Sequence, residues 1–383
     1  MIQISSGFDS GAIEVVRAER ADAIELRVRR DSHENFTQWF HFRLSGARGQ
    51  TTSIRFLNAA ECTYPKGWDG YQAVASYDRE HWFRVPTRYE EGVLTVRHVP
   101  EQDSIYFAYF EPYSWERHLG LLGRIAASPL VRIEHLAMTA DGHDLDLVRI
   151  GSASAARRVW VIARQHPGET MAEWFVEGLI ERVLDPSDPL ARLALTHAEF
   201  CIVPNMNPDG SVRGNLRTNA KGANLNREWM TPSLQNSPEV YTVRAKMQSE
   251  GVALFLDVHG DEALPYVFVA GSEMLPGFSA AQSEQQAAFI RSFKAASPDF
   301  QDRVGYPPGK YSIDALKLAS KWVGQEFGCL SLTLEMPFKD NAELPDPAVG
   351  WNGARSKRLG AAALFPIVEH LRSIAASRPS GGG

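Results

Sequence analysis

The amino-acid sequence predicts two structural units: an all-β sandwich, then an α/β domain with helices on both faces of a mixed sheet. Two observations carry this. Residues 23–110 alternate apolar and polar side chains at period two, the mark of strands with one buried face. From about residue 115 onward, apolar strand-like runs alternate with stretches of helical spacing, the pattern of an α/β fold. The expected division is a sandwich over 1–112 and an α/β domain over 113–378.

The elements follow in order. In AIELRVRR, Ile24, Leu26 and Val28 alternate with Glu25, Arg27 and Arg29; in FHFRL, Phe40, Phe42 and Leu44 alternate with His41 and Arg43. TSIRFL, HWFRV, VLTVRHV and SIYFAYF continue the pattern, and YEEGVLTV reads as a hairpin with Gly in its turn. These short strands predict an antiparallel sandwich. Beyond them, Leu119, Leu122, Ile125 and Ala126 share a helix face. VWVIA (159–163) is an apolar strand, followed by a helix carrying Phe175, Leu179, Ile180 and Val183. FCIVPN, ALFLDVH and LSLTLEM are further strands; helices are expected from Pro238, over 281–296, 315–327 and 355–374.

Composition excludes several classes. With 383 residues and 44% apolar side chains the chain buries an ample core without disulfides. Forty basic against 46 acidic residues give −6, so a nucleic-acid partner is not expected. Cys62, Cys201 and Cys329 are scattered and form no CxxC pair. MIQISSGFDSG lacks the basic and apolar regions of a signal peptide. No apolar run approaches the roughly 20 residues of a membrane span. A cytoplasmic protein without a membrane partner is expected, and the closing RPSGGG is set aside as a frayed tail.

Three polar clusters stand at the carboxyl ends of predicted strands, where α/β sheets gather their sites. They are Arg164-Gln165-His166-Pro167-Gly168-Glu169, Asp257-Val258-His259-Gly260 and Thr333-Leu334-Glu335-Met336. Imidazole and carboxylate suit zinc, and a catalytic zinc keeps three protein ligands and an open position. A His and a Glu three residues apart on a tight turn reach one ion, and a distant His on a neighbouring strand end completes the set. Of the 11 histidines, His33, His81 and His118 fall in polar contexts and are read as surface. HxxE alone is a common chance pattern.

The stretch between the clusters decides. It runs Asn205-Met206-Asn207-Pro208-Asp209-Gly210, then Gly214-Asn215-Leu216-Arg217-Thr218-Asn219, then Gly222-Ala223-Asn224-Leu225-Asn226-Arg227-Glu228-Trp229. With HPGE before it, this resembles the M14 family of zinc carboxypeptidases, and within it the cytosolic carboxypeptidase subfamily. That family orders HxxE, NPDG, an Arg, NR, a distant His and a late Glu, and its cytosolic branch carries an N-terminal β-sandwich. Residues 76–86, SYDREHWFRVP, look like part of that domain.

The resemblance implies a carboxypeptidase-type α/β/α domain and one zinc per chain, held by His166, Glu169 and His259. It implies Glu335 as general base and then acid, and Arg217 beside the oxyanion, with Arg213 a nearby rival. Asn226 and Arg227 match the pair that grips the substrate's terminal carboxylate, which a guanidinium fork suits. Tyr306 sits at the offset of the family's mobile tyrosine, with Tyr311 as competitor. Asp257 is a candidate to orient His259. Trp174 and Phe175 read as helix packing, and Glu90-Glu91 as a solvated turn.

The implied partners are peptide or protein C-termini, with acidic ends such as Glu favoured by the subfamily. An acidic side chain needs a cation in its pocket. The Tyr306 offset instead places apolar Ile313 at the pocket floor, with Lys310, Arg303 and Arg164 as cations near enough to turn in. Two rival functions stand beside the peptidase: an aspartoacylase-like zinc amidohydrolase and an inactive peptide-binding relative. The sandwich shows no ligand cluster and is read as a structural partner of the cleft. The oligomeric state is left open.

Overall fold

In the computed structural model the described residues are 1–307 and 309–376; the RPSGGG tail lies outside them. The first ten strands are β1 (Gln3–Ser5), β2 (Glu14–Arg17), β3 (Ile24–Arg27), β4 (His41–Ser45), β5 (Thr52–Phe56), β6 (Val74–Ser76), β7 (Phe83–Arg84), β8 (Thr87–Glu90), β9 (Val93–His98) and β10 (Ser104–Ala108). They make two five-stranded sheets, ordered β1-β4-β10-β6-β7 and β2-β3-β5-β9-β8. The period-two pattern works as expected: Ile24, Leu26, Phe42, Leu44, Ile54, Phe56, Leu94, Val96, Ile105 and Phe107 are all buried. Phe40 and Phe56 meet across the two sheets with ring centroids 4.6 Å apart.

One pair departs from the antiparallel expectation. β3 and β5 run parallel, because the strand between them in sequence, β4, lies in the other sheet. The β8–β9 hairpin turns on Glu91 (φ 50°) and Gly92 (φ 82°), the two positive φ values that a two-residue hairpin loop requires. Both glutamates of that turn are exposed, as expected.

The second unit comprises α1 (Trp115–Ile125), β11 (Val131–Met138), β12 (Asp144–Ile150), β13 (Arg158–Ala163), α2 (Met171–Val183), α3 (Pro189–His197), β14 (Glu199–Val203), α4 (Pro208–Arg213), α5 (Pro238–Glu250), β15 (Leu254–Asp261), β16 (Phe268–Ala270), α6 (Ala280–Ala296), α7 (Ala319–Phe327), β17 (Leu330–Pro337) and α8 (Gly353–Ala376). The sheet order is β11-β12-β14-β13-β15-β17-β16. Neighbours among β14, β13, β15 and β17 pair in parallel, and the outer strands pair antiparallel. Alternate residues of the central strands go to opposite faces. Val159, Val161, Leu256, Val258, Leu332 and Leu334 join the core under α2 and α8. Trp160, Ile162, Cys201, Val203 and Phe255 join a second core with Val240, Val243, Trp322 and Val323 of α5 and α7.

The chain leaves β13 for β14 on one side and then returns to β15 on the other. This reversal makes a switch point, and the crevice there opens at the strands' carboxyl ends. α2 and α8 approach closely: a Cβ on Gly178 would lie 2.0 Å from the Lys357 carbonyl oxygen, and one on Gly360 1.9 Å from that of Phe175. α8 is long and apolar enough in composition to cross a membrane, but half of its most apolar stretch is buried inside the protein.

Three readings change. α1 buries His118, Leu121, Leu122 and Ile125, while Leu119 points outward, 41% exposed. His118 is therefore not a surface residue: its Nδ1 lies 2.7 Å from Glu173 Oε1, and that partner lets a polar ring sit in the apolar stripe. The helix expected over 315–327 splits into a 3-10 turn, Ile313–Lys317, and α7. The β11–β12 hairpin, unread in the sequence, forms one edge of the sheet. The three cysteines are free.

Candidate active site

The turn after β13 carries the first two polar side chains. Pro167 and Gly168 bend it tightly enough that His166 Nδ1 lies 2.6 Å from Glu169 Oε1. The other carboxylate oxygen, Oε2, lies 2.7 Å from Nδ1 of His259, at the end of β15. The ligating atoms of His166, Glu169 and His259 all fall within 4.8 Å of one another, and all three residues are buried.

The far ring nitrogens are occupied. His166 Nε2 lies 3.1 Å from Asn224 Oδ1, and His259 Nε2 lies 2.9 Å from Asp257 Oδ1. An imidazole that donates from one nitrogen to an oxygen acceptor offers the lone pair of the other to a metal. Both rings therefore turn Nδ1 inward, and the donor set, two imidazoles and one carboxylate, fits a catalytic divalent zinc. Asp257 is itself fixed by Gln165, whose Nε2 donates to both carboxylate oxygens at 2.9 Å. Without a cation, the two rings carry opposite biases. Burial, aided by Arg217, pulls the His166 pKa down to about 3. Burial also opposes charge on His259, but Asp257 and Glu169 outweigh it and hold that ring well above its ordinary value.

The NPDG motif is scaffolding for this turn. Asn207 Oδ1 caps α4 by accepting from Gly210 N at 3.1 Å, and its Nδ2 donates to the Gln165 carbonyl at 3.0 Å. Position 210 must be glycine, since a Cβ would lie 2.4 Å from Pro167 Cγ and 2.5 Å from the Thr218 carbonyl oxygen. Asp209 anchors the β11–β12 hairpin by accepting from Thr139 Oγ1 at 2.5 Å and Asp141 N at 2.9 Å.

Glu335 pairs with His259 across β15 and β17. It is 6% exposed. Its Oε1 accepts from Tyr306 OH at 2.9 Å, while its buried Oε2 has no partner among the described residues. Burial first, then repulsion from Glu169 and Asp261, raises its pKa well above the ordinary carboxyl value. Tyr306 OH also lies 2.8 Å from Asp261 Oδ2, so its single hydrogen serves one of the two carboxylates at a time. Tyr311, the competitor, is 42% exposed and takes no part in this cluster.

Arg217, in the GNxR context, and its nearby rival Arg213 separate cleanly. Arg213 is held by both oxygens of Asp141, at 2.6 and 2.8 Å. Arg217 has no hydrogen-bond acceptor for its guanidinium among the described residues; it lies near the rings of Phe36 and Tyr64, at 5.9 and 5.6 Å. Arg227 is exposed and spends one nitrogen, Nη1, on the Asn226 carbonyl at 2.7 Å. Asn226 is buried: its Oδ1 accepts from Ala319 N at 2.9 Å and its Nδ2 lies 3.3 Å from His259 Nε2. In this structure Asn226 is tied through its Oδ1 to the first residue of α7, and its amide nitrogen faces the edge of the His259 ring.

Beside Tyr306 opens a cavity of about 630 Å³, lined among others by Phe268, Ala270, Arg303, Leu318 and Lys321. Several expectations fail here. Ile313 is 55% exposed, on the 3-10 turn, and does not line the cavity. Arg164 is turned away, bound to Glu173 Oε2 at 2.6 Å and to the Tyr113 and Pro167 carbonyls. Lys310 is exposed and off the cavity; Arg303 does line it, with its guanidinium paired to Glu343 at 2.6 Å. The buried cation is Lys321, whose Nζ donates to the Gly271 carbonyl. Nothing in the sequence marks a lysine inside a helical run as a pocket residue. The same holds for Tyr64 and Glu262, which reach the site from the sandwich and from the end of β15. Trp174 and Phe175 pack in the core.

The chain as a whole has known counterparts. Residues 123–350 match the family model described as zinc carboxypeptidase, and residues 4–110 match that of the cytosolic carboxypeptidase N-terminal domain. This chain belongs to the M14 zinc carboxypeptidase family. A metallo-carboxypeptidase from Burkholderia cenocepacia is 57% identical, with a TM-score of 0.96, covering 97% of this chain and 100% of that one. A metallo-carboxypeptidase from Pseudomonas aeruginosa, solved with (2-guanidinoethylmercapto)succinic acid, is 45% identical, with a TM-score of 0.93 and coverage of 97% and 100%. Cytosolic carboxypeptidase 4 of Mus musculus is 26% identical over 71% of this chain, which spans 29% of that longer protein. This M14 chain is a hydrolase whose family implies a metal cofactor, typically zinc, and substrates with free C-termini.

Proposed function

We propose that this protein removes single residues, preferentially acidic ones, from the C-termini of peptides or proteins in the cytoplasm. The observation that carries the chemistry is the unpartnered Oε2 of Glu335, standing beside a buried three-ligand cluster. His166, Glu169 and His259 would hold one zinc, which supplies Lewis acidity toward water and the scissile carbonyl.

The protein's own groups do the rest. Glu335 takes the proton of the attacking water at Oε2, the oxygen with no partner of its own among the described residues, and delivers it to the leaving amine. Arg217, a guanidinium with no acceptor of its own, faces the charge that develops on the carbonyl oxygen. Arg227 has guanidinium N–H groups left for the substrate's terminal carboxylate. Tyr306, hydrogen-bonded to Glu335 and Asp261, closes the side of the site next to the cavity. Lys321 inside that cavity supports an acidic terminal side chain. The sandwich over 1–112 and the catalytic domain over 113–378 act together on the cleft. The cytoplasmic placement rests on the names of the cytosolic relatives.

The test is a pair of peptides identical except for amidation of the last carboxyl group. A carboxypeptidase cleaves the free form and fails on the amide. Equal cleavage of both would point to an amidohydrolase or endopeptidase instead.

A further inference from the structure

The segment that carries Arg217 is bonded to the sandwich along nearly its whole length. Ser10 N donates to the Val212 carbonyl at 2.9 Å. Arg29 Nη2 donates to the carbonyl of Arg213 and, at 3.5 Å, to that of Gly214. Ser32 N and Oγ donate to Asn215 Oδ1 at 3.1 and 3.2 Å. Asp31 then takes the next three amides. Its Oδ1 accepts from Leu216 N at 2.6 Å, and its Oδ2 accepts from Arg217 N at 2.7 Å, Thr218 N at 3.0 Å and Thr218 Oγ1 at 3.1 Å.

A carboxylate that receives four donors while 6% exposed is a built clamp, not a surface contact. The segment has little hold on itself: α4 ends at Gly214, in the left-handed region at φ 68°, and no helix or strand includes 214–218. Phe36 and Tyr64, also from the sandwich, flank the guanidinium. On its other side the segment touches the metal turn, since Gly168 N donates to the Leu216 carbonyl at 2.9 Å.

We infer that the sandwich is a working part of the active site and that Asp31 is a positioning residue for Arg217. The carboxylate fixes the backbone from which the guanidinium reaches the developing oxyanion. The inference rests on the oxyanion role proposed for Arg217. A donor that stabilises only the transition state is sensitive to displacement: a misplacement of about 1 Å costs on the order of a hundredfold. Loosening the clamp should therefore lower kcat and leave KM nearly unchanged.

The experiment compares zinc-loaded full-length wild type with Asp31→Asn, Arg217→Ala and the double variant, on one peptide with a free C-terminus. An Asn amide turns donors toward backbone N–H groups, so part of the clamp is lost without loss of volume. Asp31→Asn is expected to lower kcat about 10- to 100-fold, with KM within about twofold and wild-type zinc content. In the Arg217→Ala background it should cost little more, because it acts through that side chain. Thr218→Val, which removes one of the four bonds, guards against misfolding of Asp31→Asn and should lower kcat less but in the same direction. Normal kcat in both clamp variants beside a crippled Arg217→Ala overturns the inference alone. So does a double variant whose losses multiply, which marks a general structural role. Normal kcat in Arg217→Ala overturns the oxyanion reading itself.

Discussion

Replacing Lys321 with Met tests the acidic preference most directly. Lys321 is 8% exposed, and its ammonium is hydrogen-bonded to the Gly271 carbonyl within the cavity beside Tyr306. Among the described residues no carboxylate lies within 4.0 Å of it; Glu273 and Asp257 act on it only at longer range, and burial lowers its pKa. A cation in that state gains a partner when a glutamate side chain enters. A hydrogen bond to a charged group contributes about 1.5–3 kcal/mol, and each 1.4 kcal/mol is about tenfold. Lys321→Met should therefore lower kcat/KM for a peptide ending in Glu by about 10- to 150-fold. A peptide ending in Leu should change less than about threefold, since Met offers similar apolar volume. Stability should move little: the Gly271 carbonyl loses a donor, which destabilises, while removal of a buried ammonium stabilises. The assay is kcat/KM on otherwise identical peptides ending in Glu, Leu and Lys, with thermal melting as the control. A wild type that prefers Leu to Glu refutes the acidic reading, and an unchanged Glu-to-Leu ratio in the variant refutes the role of Lys321.

Four further outcomes are expected. Metal analysis should find one zinc per chain in the wild type and little in His259→Ala; equal content would remove His259 from the ligand set. Glu335→Gln should keep its zinc while turnover falls by roughly 10²–10⁴-fold, and near-normal turnover would exclude it as the base. Arg227→Ala should cost about 1.5–3 kcal/mol on free C-termini, and loss of that discrimination against amides should be read in kcat/KM. Glu239 is buried, and burial raises its pKa to about 7, with Asn219 Nδ2 at 3.3 Å from both oxygens. The folded state thus binds this proton more tightly than the unfolded one, so the stability linked to it is full below the unfolded value of 4.5 and is lost as pH rises through 7. The difference is about 3 kcal/mol. Glu239→Gln should raise the melting temperature at pH 8 much more than at pH 5, and an equal shift at both would contradict the titration.

Much of this molecule was legible in one dimension because its signals are local. Period two in AIELRVRR or VLTVRHV depends only on alternate side chains facing one core, and the buried Ile24, Leu26, Leu94 and Val96 follow from it. HPGE is a single turn, so the approach of His166 to Glu169 is set by four consecutive residues. His259 and Glu335 sit at the ends of apolar runs, and parallel packing of those runs brings the two ends together.

What the tertiary structure decided were matters of direction and of partnership between distant segments. Helical spacing alone allowed Leu119 inward, but Glu173 on α2 offers His118 a buried acceptor and rotates α1 accordingly. Chain offset put Ile313 in the pocket, whereas the break at Leu318 sends that turn to the surface and brings Lys321 in. Arg213 and Arg217 are equivalent as letters four residues apart. They differ because Asp141 lies within reach of one, while the other is held between Phe36 and Tyr64 on a segment clamped by Asp31. A motif records which atoms a site needs, but an acceptor some 186 residues away in sequence acts only through the folded chain.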